Sequence, residues 1–219
     1  MRLEKYDKLV MIGDSITDCG RSPAGEGLSN AIGKGYVAQV EALLHNSYPE
    51  LFLRVINKGT SGHTIRDLKI RWKTDVLDLQ PDWLSIMIGI NDVWRQFDQP
   101  LIKESHVYLG EYETILRELV SRTRPLLKGL ILMTPYYIEP NSDDAMRATM
   151  DAYGSVVKKI ASEHDAVFVD TQAAFDRIMS YMYPATLAWD RVHPSQVGHM
   201  TIARAFLNKI DFTWDGVSN

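Results

Sequence analysis

Four short polar segments of this sequence contain the residues that could do chemistry. They are residues 13–18, 57–64, 89–92 and 190–194. Together they hold a serine hydroxyl, an imidazole, a carboxylate and several amide donors, which are the groups that a serine hydrolase needs. The residue types therefore predict nucleophilic acyl transfer, provided that the chain folds so that the four segments meet.

The candidate nucleophile is Ser15, and the candidate base is His193. Ser15 follows a β-rich run directly, after Gly13 and Asp14. His193 has an acid, Asp190, three residues before it. A turn of that length can place the Asp190 carboxylate on the imidazole Nδ1 and leave Nε2 facing Ser15.

Three donors are available for a developing oxyanion. A serine at the start of a helix has a free backbone N–H, so Ser15 can supply one donor itself. Gly62 lets a second backbone N–H approach the substrate without a Cβ in the way. The Asn91 side-chain amide is the third candidate.

Each of these residues has a simpler explanation when it is taken alone. Ser15 could be a helix N-cap and Asp190 could cap the following helix, while Gly62 and Asn91 could be ordinary turn residues. His63, next to Gly62, is an alternative base, although no acid precedes it at a comparably short spacing. The four segments occurring together favour the catalytic interpretation.

The elements that must position these segments alternate along the chain. Apolar runs typical of buried strands lie at residues 8–12, 53–56, 83–88, 130–133 and 167–169. Amphipathic stretches with helical spacing lie at residues 35–48, 64–79, 108–124, 145–163, 171–181 and 196–207. This order predicts an α/β fold, a doubly wound three-layer sandwich around a parallel sheet. In such folds the site lies outside the carboxyl ends of the strands, where the first three polar segments fall.

Composition limits the remaining possibilities. The 219 residues have ordinary proportions of hydrophobic residues, 45 %, and charged residues, 24 %, which predicts one globular domain over residues 1–219. The net charge of -4 disfavours nucleic-acid binding. The single cysteine, Cys19, allows no intrachain disulfide and no CxxC site. We found no signal-peptide pattern and no long apolar stretch, so we expect a cytoplasmic protein without membrane contact.

The four segments, in their order along the chain, resemble the blocks of the SGNH, or GDSL, hydrolase family. The resemblance implies a flavodoxin-like five-stranded sandwich and ester hydrolysis without metal or cofactor. It also implies a triad of Ser15, Asp190 and His193, with an oxyanion hole formed by Ser15, Gly62 and Asn91. Position 17 is threonine, which distinguishes the segment from the Gly-x-Ser-x-Gly elbow of α/β-hydrolases.

Longer strings at residues 12–21, 87–95 and 187–194 are similar to the intracellular acetylxylan esterase branch of that family. This similarity implies a serine esterase that removes acetyl groups from short acetylated sugars, namely xylo-oligosaccharides, and a homo-oligomeric state. Aromatic rings can stack on sugars, so Trp94, Tyr183 and Trp189 are candidate substrate contacts. Asp14 joins them, although we interpret it mainly as a residue that fixes the loop.

Other functions stay open from the sequence alone. A thioesterase or a lysophospholipase acting on acyl chains would use the same residues. A non-catalytic carbohydrate-binding protein could share the fold. A metallohydrolase is less favoured, because the histidines and acids show no metal-ligand spacing.

Overall fold

The structure is a computed structural model that describes residues 1–28 and 30–214. Its centre is a parallel sheet of five strands in the order β2-β1-β3-β4-β5. The strands are β1 (Lys8–Gly13), β2 (Arg54–Gly59), β3 (Trp83–Met87), β4 (Gly129–Met133) and β5 (Val167–Val169). Strands β3 and β4 are buried throughout, as expected for a sheet covered on both faces.

Nine α-helices in the described part of the chain connect and flank the strands. They are α1 (Ser15–Asp18), α2 (Tyr36–Ser47), α3 (Ile65–Trp72), α4 (Ile90–Asp98), α5 (Leu109–Thr123), α6 (Ala145–Glu163), α7 (Thr171–Met179), α8 (Pro184–Leu187) and α9 (Gln196–Lys209). Helix α3 continues as a π-helix over Lys73–Leu77. None of these described helices is long and apolar enough to cross a membrane.

The direction of the crossovers decides which helices share a face. The chain moves one way from β1 to β2 and the opposite way from β2 to β5. Because parallel crossovers are right-handed, this reversal places α2 on one face and α3, α5 and α6 on the other. Helix α9 packs against α2 and α7, which completes the first face. The predicted three-layer α/β sandwich is therefore confirmed, while a single domain over residues 1–219 stays a prediction.

The reversal of strand order also opens a crevice in which a functional site can form. Strands β1 and β3 are neighbours, and the chain leaves them in opposite directions, so a crevice opens between their carboxyl ends. Gly13, the last residue of β1, is in register with Gly59 of β2 and Met87 of β3. The three segments that follow these strands consequently start at one level of the sheet.

The predicted elements agree with the observed ones except at short helices. The bounds of α6 and β5 are those expected from the sequence, and other ends differ by a few residues. Helices α4 and α8 were not predicted: both are short, with nine and four residues, and the buried side of α4 includes the polar Asn91 and Asp92, which interrupt an apolar pattern. Helix α4 carries Asn91.

Candidate active site

Ser15 is the first residue of α1, directly after the turn that ends β1. The turn is tight: a Cβ on Gly13 would lie 2.3 Å from the Met87 carbonyl oxygen, so only glycine fits there. Asp14 caps the helix by accepting a hydrogen bond from the Ile16 N–H at 3.0 Å. These two contacts fix Ser15 where the helix begins and leave its backbone N–H facing the crevice.

Asp14 itself is buried, with 1 % of its surface exposed. Asp14 does not line the cleft, since its carboxylate serves the first turn of α1 from inside the protein, and its contact with substrate stays a prediction. Its hydrogen bond to the Ile16 N–H agrees with the interpretation of Asp14 as a residue that fixes the loop. Burial raises the pKa of this carboxyl to about 7.

The segment before α9 brings the imidazole to Ser15. His193 Nε2 lies 3.1 Å from Ser15 Oγ, and His193 Nδ1 lies 2.6 Å from Asp190 Oδ2. The other carboxylate oxygen of Asp190 accepts the backbone N–H groups of Val192 and His193, at 3.0 and 2.8 Å. The spacing of three residues thus forms the predicted turn, and an acid, an imidazole and a hydroxyl stand in one hydrogen-bonded row.

The electrostatics of this row suit proton transfer to His193. Burial alone would raise the pKa of Asp190, but hydrogen bonds from the His193 side chain and from two backbone N–H groups lower it on balance. Asp190 is therefore ionised at neutral pH. An ionised carboxylate on Nδ1 fixes the tautomer with Nε2 free to accept the Ser15 proton, and it stabilises the imidazolium that results.

The loop after β2 contributes Gly62, whose φ of +81° lies in the left-handed region that favours glycine. Asp18 of α1 fixes this loop, because its Oδ2 accepts the Ser61 N–H at 3.1 Å and the Ser61 hydroxyl at 2.9 Å. In the described part of the chain, neither the Gly62 N–H nor the Ser15 N–H donates to a protein acceptor. Both are available to an oxygen atom in the crevice.

Asn91 lies in the first turn of α4 and reaches the same loop. Its Nδ2 donates to the His63 carbonyl oxygen at 2.9 Å, and its Oδ1 accepts from Arg95 at 3.4 Å. With both ends of the amide engaged, the NH₂ group faces the loop and retains a second hydrogen for the crevice. The neighbouring Asp92 accepts the Ile65 N–H at 3.0 Å, so two adjacent residues of α4 hold the Gly62 loop.

These groups surround a cleft of about 360 Å³. Its lining consists of Ser15, Ile16, Cys19, Ser61, Gly62, Asn91, Trp94, Arg95, His193, Pro194 and His199. The Trp94 ring lies edge-on to the His193 ring, with centroids 5.8 Å apart. The cleft thus has a nucleophile, a base, donor groups and an aromatic wall, which is the set that acyl transfer requires.

Two predicted aromatic contacts lie elsewhere. Tyr183 and Trp189 are 75 % and 83 % exposed, and neither lines the cleft. Their contact with substrate stays a prediction. His63, the alternative base, presents its carbonyl rather than its ring to Asn91, and its side chain makes no hydrogen bond to Ser15.

Several lining residues escaped the sequence analysis. Arg95 follows Asn91 by four positions on α4, which places both on one side of that helix, and Cys19 directly follows α1. His199, on α9, also reaches the cleft. Its Nδ1 accepts the Tyr36 N–H at 3.1 Å, and burial lowers its pKa to about 4, so it stays neutral. No group of three or more metal-ligating side chains occurs among the described residues.

Known proteins are similar to this chain over nearly its whole length. Residues 11–200 match the model of the GDSL-like lipase/acylhydrolase family. An acetylxylan esterase of Geobacillus stearothermophilus is 63 % identical over 215 residues, which cover 98 % of each chain.

Solved structures agree with the sequence matches. The crystal structure of Axe2, an acetylxylan esterase from Geobacillus stearothermophilus, superposes with a TM-score of 0.98 at 62 % identity and covers 100 % of both chains. Related structures are catalytic mutants of Axe2 in which a serine, an aspartate or a histidine is replaced by alanine. LAE5, an alpha/beta hydrolase enzyme from the metagenome of Lake Arreo in Spain, has a TM-score of 0.95 at 54 % identity and covers 96 % of this chain and 98 % of its own.

Proposed function

The chain belongs to the GDSL-like lipase/acylhydrolase family, and from this premise we propose that Ser15 carries out ester hydrolysis on acetylated xylo-oligosaccharides. The observation that carries the proposal is the row from Asp190 through His193 to Ser15, with contacts of 2.6 and 3.1 Å. The 63 % identity to an acetylxylan esterase over 98 % of the chain supports the acetyl-sugar substrate. The enzyme is a carboxylic ester hydrolase.

The first half-reaction transfers the acetyl group to Ser15. His193 Nε2 takes the hydroxyl proton as Ser15 Oγ attacks the acetyl carbonyl carbon, and the carbonyl oxygen becomes an oxyanion. The N–H groups of Ser15 and Gly62 and the Asn91 amide donate to that oxygen. The C–O bond to the sugar then breaks, and the imidazolium gives its proton to the departing sugar hydroxyl.

The second half-reaction releases acetate. A water molecule gives a proton to His193 and attacks the acetyl carbon of the acyl-enzyme, which forms a second oxyanion at the same donors. Collapse breaks the bond to Ser15 Oγ, and His193 returns the proton to that oxygen. Asp190 stays ionised throughout and stabilises the imidazolium in both halves.

The lining and the volume of the cleft favour a substrate in which a small acyl group is attached to a sugar. Trp94 offers an apolar ring beside His193, suited to stacking on a sugar face. The cleft volume of about 360 Å³ must hold both the acyl group and the first sugar unit. A long acyl chain would compete with the sugar for this space.

A substrate screen tests the proposal. Acetylated xylo-oligosaccharides are compared with p-nitrophenyl esters of increasing acyl length and with acyl thioesters. We expect acetate release from the oligosaccharides and p-nitrophenyl ester rates that fall beyond acetate. Rates that rise beyond butyrate would instead support a thioesterase or a lysophospholipase. Failure of a fluorophosphonate to label the folded protein would support a non-catalytic binding protein.

The oligomeric state and the cellular location belong to the same proposal. We infer a homo-oligomer, since Tyr183, Trp189 and Trp214 are exposed aromatic residues that a second copy could cover. Light scattering of the purified protein tests this inference. The cytoplasmic location stays a prediction from the sequence, which cell fractionation tests.

A further inference from the structure

The turn that carries the base contains a residue in an unfavourable backbone conformation. Arg191 has a φ of +64°, in the left-handed region that non-glycine residues rarely adopt. This conformation bends the chain so that Asp190 can accept both backbone N–H groups and the imidazole N–H of its own turn. A strained residue persists only where its surroundings hold it.

The loop after β4 holds this turn, although it belongs to none of the four polar segments. The Ile138 N–H donates to the Arg191 carbonyl oxygen at 3.0 Å, and the Tyr136 hydroxyl donates to the Val192 carbonyl oxygen at 3.0 Å. The Arg191 guanidinium forms an ion pair with the Glu139 carboxylate. One backbone–backbone hydrogen bond, one hydrogen bond from a side chain to the backbone and one ion pair therefore join this loop to the turn.

Glu139 is the fixed partner of the ion pair. Its side chain is only 10 % exposed, and its Oε1 accepts the Asn141 N–H at 2.9 Å. Its carbonyl oxygen accepts from Arg147 at 2.6 Å, and Arg147 is itself paired with Asp151 and Asp176. A carboxylate held in this way gives Arg191, which is half exposed, a defined position.

We propose that Glu139 and Arg191 are a positioning pair that holds the turn from Asp190 to His193 in its reactive geometry. Neither residue lines the cleft, so neither touches the substrate. The pair acts by fixing the Arg191 backbone, which sets both the 2.6 Å contact to Asp190 and the 3.1 Å contact to Ser15. The inference rests on the proposed function where activity is the readout.

Three single variants separate the effects of the Glu139 charge, the Arg191 guanidinium and the Arg191 backbone conformation. Glu139→Gln keeps the size of the side chain and an acceptor for the Asn141 N–H, but it removes the charge. Arg191→Ala removes the guanidinium and keeps the backbone strain. Arg191→Gly removes the guanidinium and relieves the strain, so it guards against loss of folding in the alanine variant.

We expect kcat for p-nitrophenyl acetate to fall about tenfold in Glu139→Gln and Arg191→Ala, with KM within about twofold, since small displacements of a base cost rate. The double variant Glu139→Gln with Arg191→Ala should lose no more than Arg191→Ala alone, because the two residues act through one contact. The acidic limb of the pH profile of kcat/KM should move to lower pH, because a looser Asp190 contact stabilises the imidazolium less. Arg191→Gly should retain the thermal midpoint of the wild type and still lose rate.

A proton NMR spectrum supplies a readout that needs no substrate. The hydrogen of His193 Nδ1, shared with Asp190 at 2.6 Å, should give a low-field resonance that broadens or shifts in all three variants. If the wild type does not hydrolyse acetyl esters, the proposed function fails, and this resonance still tests the positioning pair. Glu118→Gln, which breaks an exposed ion pair with Lys69, is the matched control and should change neither readout.

Either of two results would overturn the positioning pair. In the first, folded Glu139→Gln and Arg191→Gly have a kcat within about twofold of the wild type, the same acidic limb of the pH profile and the same low-field resonance. A loss of thermal stability alone, without these changes, would also overturn it, since Glu139 and Arg191 would then only support the fold.

Discussion

The Asn91 side chain donates its Nδ2 to the His63 carbonyl oxygen at 2.9 Å, which joins helix α4 to the loop that carries Gly62. The Asn91 amide and the Gly62 N–H, which follow two different strands of the sheet, are thus held at a fixed separation. An oxyanion hole works because its donors are already oriented before charge develops. We propose that this contact lets donors from the segments after β2 and β3 serve one oxygen atom.

Replacing Asn91 tests this donor. Asn91→Ala removes the amide and should lower kcat by about 10²-fold, because one oxyanion donor is lost, with a smaller change in KM. Steady-state kinetics with p-nitrophenyl acetate measure both constants. Asn208→Ala, on the exposed side of α9, is the control. A kcat within about threefold of the wild type would remove Asn91 from the oxyanion hole.

Replacing Asp190 tests the orientation of the base. Asp190→Asn keeps the shape but can no longer stabilise the imidazolium or fix its tautomer, so kcat should fall by about 10⁴-fold. The loss should be measured on the pH-independent plateau of the wild-type rate. Activity of the variant near the wild-type rate would show that another group orients His193.

For His193, the candidate base, and His63, the alternative base, we predict opposite effects of substitution. His193→Ala should abolish most activity, because no other base contacts Ser15 Oγ in the described structure. His63→Ala should keep activity within a few-fold, since the contact to Asn91 uses the backbone carbonyl of residue 63. Equal losses in both variants would mean that His63 shares the work of the base.

A buried carboxyl beside the site makes stability depend on pH. Burial raises the pKa of Asp92 from 3.8 to about 7, so the folded chain binds this proton more tightly than the unfolded chain does. The resulting contribution to stability is present below about pH 4 and is lost as pH rises through about 7. Asp92→Asn stays neutral and still offers an oxygen to the Ile65 N–H.

Urea unfolding at a series of pH values measures this effect. The free energy of unfolding of the wild type, minus that of Asp92→Asn, should decrease between pH 4 and pH 7 and level off above that range. The exposed Asp143→Asn provides a control whose difference from the wild type should stay nearly constant. A constant difference for Asp92→Asn as well would contradict the raised pKa.

Replacing Trp94 tests whether its ring contacts the sugar of the substrate. Trp94→Ala removes the ring beside His193 and should raise KM for acetylated xylo-oligosaccharides by about tenfold, because the apolar contact with the sugar is lost. The KM for p-nitrophenyl acetate, which has no sugar, should change less. Equal changes for both substrates would assign Trp94 to the support of His193 rather than to sugar binding.

Much of this architecture is predictable from the sequence because the responsible interactions are local. Apolar runs mark the strands, and the reactive residues follow them at their carboxyl ends. The spacing of Asp190 and His193 predicts a turn that a carboxylate can close, and the structure has that turn. Helix α6 has a strong apolar period and was predicted with its observed bounds.

What the sequence does not predict depends on contacts between distant parts of the chain. Asp14 is polar and adjacent to Ser15, and only the packing of α1 on the sheet shows that it is buried. Glu139 lies 52 residues from Arg191, so their ion pair leaves no local pattern. The exposure of Tyr183 and Trp189 depends in the same way on how α8 packs, which no spacing of residues reveals.

The most direct test of the central claim is the turnover of p-nitrophenyl acetate by Ser15→Ala beside the wild type, at equal concentrations of folded protein. Removing the nucleophile while the oxyanion donors stay should lower kcat by at least about 10³-fold. Activity of Ser15→Ala near that of the wild type would contradict catalysis through a Ser15 acyl-enzyme.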